Sequence, residues 1–189
     1  LSDYTYTFVK LERIEGELGE RTYMAVKLRH EPFSVYLDFI APARIKGQEA
    51  MYIEGQNDGK LQAHTVGLLG KLLGVVSLTP TAPLAMDGNR HTITDMGIRN
   101  LLRRMIESWE QDAQFGECDV TFTPGARING RGATCIEIMH PVPRREFRSH
   151  ITRLFVDDEV NLPIRFEKYA WPDEEGGERR APASSAAAA

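Results

Sequence analysis

The sequence has two cysteines and five histidines, and neither set has the spacing of a metal site. Cys118 and Cys135 form no CxxC pair, and the histidines are scattered. The Asn-Gly pair at 129–130 predicts a hairpin that places Cys135 opposite Pro124 and Cys118 opposite Pro141, about 20 Å apart along the ladder. We therefore expect no disulfide, and we predict no metal and no cofactor.

Long apolar runs are also missing. No stretch approaches the ~18 apolar residues that a transmembrane helix needs, because three glycines and a lysine interrupt the longest candidate, 66–78. No basic-then-apolar leader stands at Leu1, and whether a leader was removed is left open. The net charge is −4, and nearby acids offset Arg144, Arg145 and Arg148. Nucleic acid is therefore not expected as a partner.

Catalytic motifs are scarce as well. The sequence has no Gly-rich phosphate loop, GxSxG elbow or HExxH helix, which removes the usual basis for nucleotide-dependent and zinc-protease chemistry. Glu137 with His140, or His64, could serve as acid–base groups, although histidines at strand ends are the simpler interpretation. The acidic run 157–159 could bind a hard cation, and an acidic hairpin turn explains it as well.

What is present is alternation of apolar and polar residues, which predicts about nine antiparallel strands joined by hairpins. The predicted strands are 4–14, 23–29, 34–40, 49–54, 60–66, 120–123, 133–139, 150–156 and 162–171. The predicted fold class is α+β, mainly antiparallel β: a curved sheet closed on one side by one long helix. We expect one soluble domain over 1–177. The low-complexity tail 178–189 lacks large apolar residues and is expected to be disordered, outside the fold.

The clearest helix is predicted at 92–115. Its apolar stripe has helical spacing and comprises Ile98, Leu101, Leu102, Met105, Ile106 and Trp109. Thr92 or Thr94 is expected to cap its start, and Gly116 is expected to end it. The segment 67–83 crowds leucines and valines among three glycines, which is typical of a mobile apolar flap rather than a regular element.

A helix of ~24 residues is ~36 Å long and is too narrow to cover nine strands. Part of the sheet face is then either packed core or a cavity, and the flap either plugs the cavity or gates it for an apolar ligand. Both interpretations remain open. The predicted ligand-binding residues come from a strand, the flap and the helix: Val35, Leu37, Phe39, Leu68, Leu69, Leu72, Leu73, Leu102, Met105, Ile106 and Trp109.

Several segments along 1–177 resemble, in order, an uncharacterised bacterial family, domain-of-unknown-function family 1571. They are Tyr-Thr-Tyr-Thr-Phe-Val-Lys at 4–10, His-Glu-Pro-Phe-Ser-Val-Tyr at 30–36, and the segments 52–55, 57–61, 78–98, 129–131 and 163–169. That family is grouped with the periplasmic lipoprotein carriers of LolA-like fold. The resemblance implies an incomplete antiparallel half-barrel, a periplasmic or secreted location and an apolar cavity for acyl chains. It supplies no catalytic residue.

The leading hypothesis is therefore a non-enzymatic cell-envelope protein that binds a lipid, an acyl chain or another hydrophobic ligand. The alternative is a structural or accessory subunit that docks onto a larger envelope or membrane-associated complex through an edge strand or the flap. A third possibility is a small-molecule enzyme that uses Glu137, His140 or His64.

Overall fold

The computed structural model describes residues 2–172 and 184–188. The strands are β1 (Asp3–Ile14), β2 (Glu17–Leu18), β3 (Thr22–His30), β4 (Phe33–Ala41), β5 (Glu49–Ile53), β6 (Leu61–His64), β7 (Val75–Leu78), β8 (Asp119–Ile128), β9 (Arg131–Met139), β10 (Ile151–Asp157), β11 (Pro163–Tyr169) and β12 (Ser184–Ala188). They form one antiparallel sheet in the order β7-β6-β5-β4-β3-β1-β12-β11-β10-β9-β8, with β2 paired to β1. The sheet does not close on itself, which confirms the predicted fold class.

The hairpin between β8 and β9 follows from its turn residues. Asn129 and Gly130 both have positive φ, at 51° and 83°, as the favoured two-residue hairpin turn requires. An irregularity between Thr123 and Ala126 shifts the register, so that Cys135 lies opposite Thr123 rather than Pro124. Both cysteines are free.

In the described part of the chain, three helices accompany the sheet: α1 (Gly67–Leu73), α2 (Pro83–Met86) and α3 (Ile98–Ala113). The prediction of one helix over 92–115 was too long at its start. Thr92 and Asp95 form a capping box, but it encloses a separate 3-10 turn at Ile93–Asp95. Gly97 then has a φ of 100°, which interrupts the helical path, and α3 begins only at the next residue.

The prediction that 67–83 is an irregular flap was wrong for most of its length, since the segment folds into α1, β7 and the start of α2. Positive φ at Gly67 and Gly74 bounds α1 on both sides, so these glycines end the helix rather than prevent it. Gly70 within the helix lies against Thr65, whose carbonyl oxygen would be 1.8 Å from an added Cβ atom. β7 then pairs with β6 at the sheet edge.

The tail was expected to lie outside the fold, and for residues 184–188 that expectation was wrong. This segment forms β12, which pairs with β1 on one side and β11 on the other. Backbone hydrogen bonds hold a strand in a sheet. A segment without large side chains can therefore pair with a long strand on each side. The other tail residues lie outside the described part of the chain.

The apolar core is divided into clusters along the sheet. The first contains Met24, Val26, Leu28, Val35 and Leu37, all buried, as the alternation in β3 and β4 predicted. The second contains Met105 of α3 with Leu154 and Phe166 of the sheet. Within the described residues, no helix has the length and apolar character needed to cross a membrane.

Candidate ligand-binding face

The side of the sheet that faces α3 can be traced through the strand register, because cross-strand partners share a face. One row of opposite residues crosses six strands from β8 to β1: Phe122, Ile136, Leu154, Phe166, Ala186 and Lys10. Met105 packs against Leu154 and Phe166 of this row. We call this side of the sheet the inner face and the opposite side the outer face.

The two flanks of α3 differ in chemistry. Arg104 and Ile106 lie about 100° to either side of Met105 around the helix. Arg104 is directed toward the segment before the helix, since its Nη1 atom lies 2.6 Å from Asp95 Oδ1 and its Nη2 atom 3.2 Å from His91 Nδ1. Because that segment packs over the first core cluster, Ile106 is directed toward the β8 end of the sheet.

The inner face is incompletely covered at the β8 end. Ile106 is 51% exposed, Val120 50% and Phe122 68%. Val120 lies opposite Ile138, which is buried, so the apolar surface continues from the core into solvent. We call Ile106, Val120 and Phe122 the uncovered strip. It agrees with the prediction that one helix cannot cover the sheet.

The predicted site residues fall into three separate groups. Val35 and Leu37 are buried in the first core cluster with Phe39 packed against them, under Ile93 and Met96. Their side chains are thus packed against the protein's own residues on the inner face.

The second group comes from the flap. Leu68 and Leu72 are each 78% exposed and Leu73 is 55% exposed; the side chain of Leu69 lies outside what the structure describes. In the third group, Leu102, Met105 and Trp109 belong to the second core cluster, and Ile106 belongs to the uncovered strip. Among the described residues, the first and third groups belong to different core clusters, and Leu68, Leu72 and Leu73 belong to neither.

The other flank of α3 faces a polar cluster that the sequence analysis missed. Lys10 projects from β1 onto the inner face, where its Nζ atom donates to Gly88 O at 2.9 Å and lies 3.6 Å from Glu12 Oε2. The backbone N–H of Arg90 donates to the same Glu12 oxygen at 3.1 Å. Burial lowers the pKa of Lys10, and the Glu12 carboxylate opposes that shift.

Lys168 lies one strand beyond this pair on the same face, since Ser184 of β12 is opposite both Glu12 and Lys168. Its side chain is partly buried, and its Nζ atom lies 5.7 Å from the centre of the Phe166 ring. Burial lowers the pKa of Lys168 and the guanidinium of Arg148 lowers it further, while the Asp112 carboxylate opposes the shift. No sequence pattern reveals this neighbourhood, because it depends on the register of β12.

The segment before α3 borders the polar cluster and contributes His91 and Asp95 to it. Burial lowers the pKa of His91, and the adjacent Arg104 guanidinium adds to that effect. Burial by itself would raise the pKa of Asp95, but hydrogen bonds and charge from Arg104, with hydrogen bonds from Thr92, hold it below its ordinary value. Arg104 and Asp95 are thus already paired with each other.

The three acid–base candidates lie apart. Glu137 is on the outer face, where its Oε2 atom accepts a 2.5 Å hydrogen bond from Arg153 Nε. His140 follows β9 and is buried, with its Nδ1 atom 2.9 Å from the Ser149 carbonyl oxygen. His64 is in β6, in the other half of the sheet. The geometry assembles no catalytic group from them.

The acidic run 157–159 makes a turn. Asp157 Oδ1 accepts hydrogen bonds from the backbone N–H groups of Glu159 at 2.9 Å and Val160 at 3.0 Å, and its other oxygen pairs with Arg131. Arg131 and these hydrogen bonds hold the pKa of Asp157 well below its usual range. Such contacts fit the acidic-turn interpretation, and the described residues contain no cluster of three or more potential metal ligands.

Comparison with known proteins gives a family but no characterised relative. Residues 1–181 match the family described as "Protein of unknown function (DUF1571)". No curated protein matches the chain.

Three solved structures are similar to the chain at low identity. A LolA superfamily protein from Nitrosomonas europaea is 12% identical, with a TM-score of 0.38, covering 100% of this chain and 84% of that one. A putative outer membrane lipoprotein-sorting protein domain from Vibrio parahaemolyticus is 10% identical, with a TM-score of 0.39 and coverages of 98% and 82%. The structure of the CwlD amidase in complex with the GerS lipoprotein, from Clostridioides difficile, gives 18% identity, a TM-score of 0.38 and coverages of 96% and 82%. Values of this size assign no activity.

Proposed function

This chain belongs to the DUF1571 family, whose function is unknown, and we propose that its inner face binds a long apolar chain, such as the acyl chain of a lipid, without converting it. The observation that carries the proposal is the uncovered strip beside the second core cluster. Following the family resemblance, we place the protein in the cell envelope, where such ligands are abundant.

The chemistry of the strip suits a hydrocarbon. Its three members are large and apolar, and Phe122 lies opposite Ile136, which packs against the second core cluster. Each methylene that leaves water contributes about 0.8 kcal/mol, so contact with several methylenes gives measurable affinity. Phe122 also offers a flat apolar surface on which a chain can lie.

The test is a titration of the full chain with hexadecanol, an uncharged probe, followed by the fluorescence of Trp109 in a Trp171→Phe background. We expect saturable binding that weakens about five- to tenfold in Phe122→Ser and in Ile106→Ser, because each substitution removes apolar contact.

The matched control is Ile40→Ser. Ile40 is 43% exposed but lies on the outer face, since its neighbour Phe39 packs against the first core cluster on the inner face. Its substitution should leave the affinity unchanged. Equal affinity in all four proteins, or no saturable binding to any of them, would refute the proposal.

A second candidate function, docking of a partner protein, is favoured by α1. Leu68 and Leu72 are 78% exposed and β7 beside them is an edge strand, a combination typical of protein interaction surfaces. The double variant Leu68→Ser, Leu72→Ser separates the roles. If α1 docks a partner, the variant loses a co-purifying protein and still binds hexadecanol normally. If α1 gates the ligand site, hexadecanol binding changes instead.

A further inference from the structure

The polar cluster on the Arg104 flank of α3 contains more cationic side chains than carboxylates. It contains Lys10, Arg90, Arg104, Arg148 and Lys168, against the carboxylates of Glu12, Asp95 and Asp112. This local excess of positive charge occurs in a chain whose net charge is −4. The net charge of the cluster is therefore positive, opposite in sign to the net charge of the whole chain.

Two of the three carboxylates are in ion pairs with cations of the cluster, and the third lies beside a histidine. Asp95 Oδ1 lies 2.6 Å from Arg104, and Glu12 Oε2 lies 3.6 Å from Lys10. Asp112 Oδ2 lies 3.4 Å from His140 Nε2. Among the described residues of the cluster, Arg90, Arg148 and Lys168 have no ion pair, but the Arg90 guanidinium donates to the Arg13 carbonyl oxygen at 2.6 and 2.8 Å. Lys168 and Arg148 are the two that remain.

A backbone hydrogen bond between neighbouring residues brings Arg148 close to Lys168. The N–H of His150 donates to the carbonyl oxygen of Tyr169 at 2.9 Å, which brings the segment before β10 to the end of β11. Arg148 is exposed between two buried residues, Phe147 and Ser149, so its backbone is fixed and its guanidinium is accessible. Its charge acts on the pKa of Lys168, as expected for neighbouring cations.

A partly buried ammonium with like charges around it is costly unless an anion replaces its lost hydration. We propose that Lys168 and Arg148 bind a phosphate or carboxylate group on the inner face, on the flank of α3 opposite the uncovered strip. Lysine provides a compact charge and arginine a planar fork, which together suit either oxyanion. The two sites lie on different flanks of α3, and binding of inorganic phosphate tests the anion site without the proposed apolar ligand.

The test uses the full chain, inorganic phosphate and hexadecyl phosphate, with dissociation constants measured at constant ionic strength. In Lys168→Met, which keeps the length of the side chain, we expect phosphate binding to weaken about tenfold or more, because a charge-assisted hydrogen bond is lost. Arg148→Gln changes an exposed side chain, preserves the fold and should weaken binding in the same direction. Lys27→Met is the control, since Lys27 is exposed on the outer face.

The outcomes distinguish a free anion from the anionic headgroup of a lipid. Weakened binding of inorganic phosphate in both variants identifies a site for a free anion. If inorganic phosphate does not bind, but hexadecyl phosphate binds more tightly than hexadecanol and Lys168→Met removes that difference, the site takes a lipid headgroup. If neither phosphate probe depends on Lys168 or Arg148, the inference is wrong, whatever the result with hexadecanol.

Discussion

The Nε2 atom of His140 lies 3.4 Å from Oδ2 of Asp112, where both side chains are buried. His140 Nδ1 donates to the Ser149 carbonyl oxygen at 2.9 Å, since a carbonyl can only accept, and the ring stacks on Phe147 at 4.0 Å between centroids. Asp112 is in the last turn of α3 and His140 directly follows β9. The buried ring therefore lies where the last turn of α3 meets the end of β9.

Replacement of this histidine should destabilise the fold. We expect His140→Ala to lower the free energy of unfolding by about 2–4 kcal/mol, because it leaves a buried cavity and an unpaired Asp112 carboxylate. Urea denaturation measures the change. His64→Ala is the control and should cost less than about 1 kcal/mol, since His64 is less buried. Equal losses in the two variants would contradict the structural role of His140.

The start of α3 depends on Gly97. An added Cβ atom would lie 2.6 Å from Leu28 Cδ1 and 3.2 Å from the Tyr4 hydroxyl, the group that accepts the Ile98 N–H. Gly97→Ala should therefore cost about 2–4 kcal/mol of stability, as backbone strain plus overpacking.

Gly116→Ala is the matched control for Gly97→Ala. Gly116 also has positive φ but has nothing within 4 Å of the added atom, so its substitution should cost only about 1–2 kcal/mol. Thermal unfolding measured on both variants compares the two losses. If the Gly116 variant is the less stable one, the close approach to Leu28 does not determine where α3 begins.

Asp157 should contribute stability that depends on pH. Its pKa in the folded protein lies below the ordinary value, because Arg131 and two backbone N–H groups stabilise the carboxylate. This contribution is complete above the unfolded pKa of about 4 and is lost as the pH falls from there toward the folded value. Asp157→Asn should thus lower the melting temperature at pH 7, with a gap to wild type that narrows below pH ~4.

The control for that pH series is Asp58→Asn, because Asp58 is exposed in the turn at Asn57–Gly59. Its melting temperature should follow the wild type at every pH. A gap for Asp157→Asn that stays constant down to pH ~2 would show that the carboxylate charge does not matter.

The strand β12 can be tested by proline. Ala186 lies between Lys10 of β1 and Phe166 of β11, and proline is poorly tolerated in a strand with neighbours on both sides. Ala186→Pro should cost about 1–3 kcal/mol for each backbone group left unpaired, whereas Ala186→Ser keeps every backbone hydrogen bond and should be nearly neutral. Hydrogen exchange at β1 and β11 provides the readout. Unchanged protection in the proline variant would mean that β12 does not hold these strands.

The parts of the fold that could be predicted from sequence are local. Alternation in β3 identified Met24, Val26 and Leu28 as core, and the Asn-Gly pair identified the turn between β8 and β9. In both cases the signal and the structure it specifies lie within a few residues, where side-chain alternation and turn chemistry act directly.

The remainder depends on contacts between distant segments. The closeness of Glu12 and Lys168 exists only because Ser184 lies opposite both, and an alanine-rich segment gives no apolar pattern from which that strand could be predicted. The helix stripe identified Leu102, Met105 and Trp109 as inward-facing. It could not show that Ile106 is exposed, because the width of the neighbouring sheet decides whether a residue on the flank of a helix is buried.

Binding of an apolar chain at the uncovered strip is the central claim, and methyl chemical-shift mapping during a hexadecanol titration tests it most directly. We predict saturable shifts at the methyl groups of Ile106, Val120 and Leu102, with none at Ile40 on the outer face. Shifts confined to the α1 leucines, or no saturable shift at any of these positions, would contradict it.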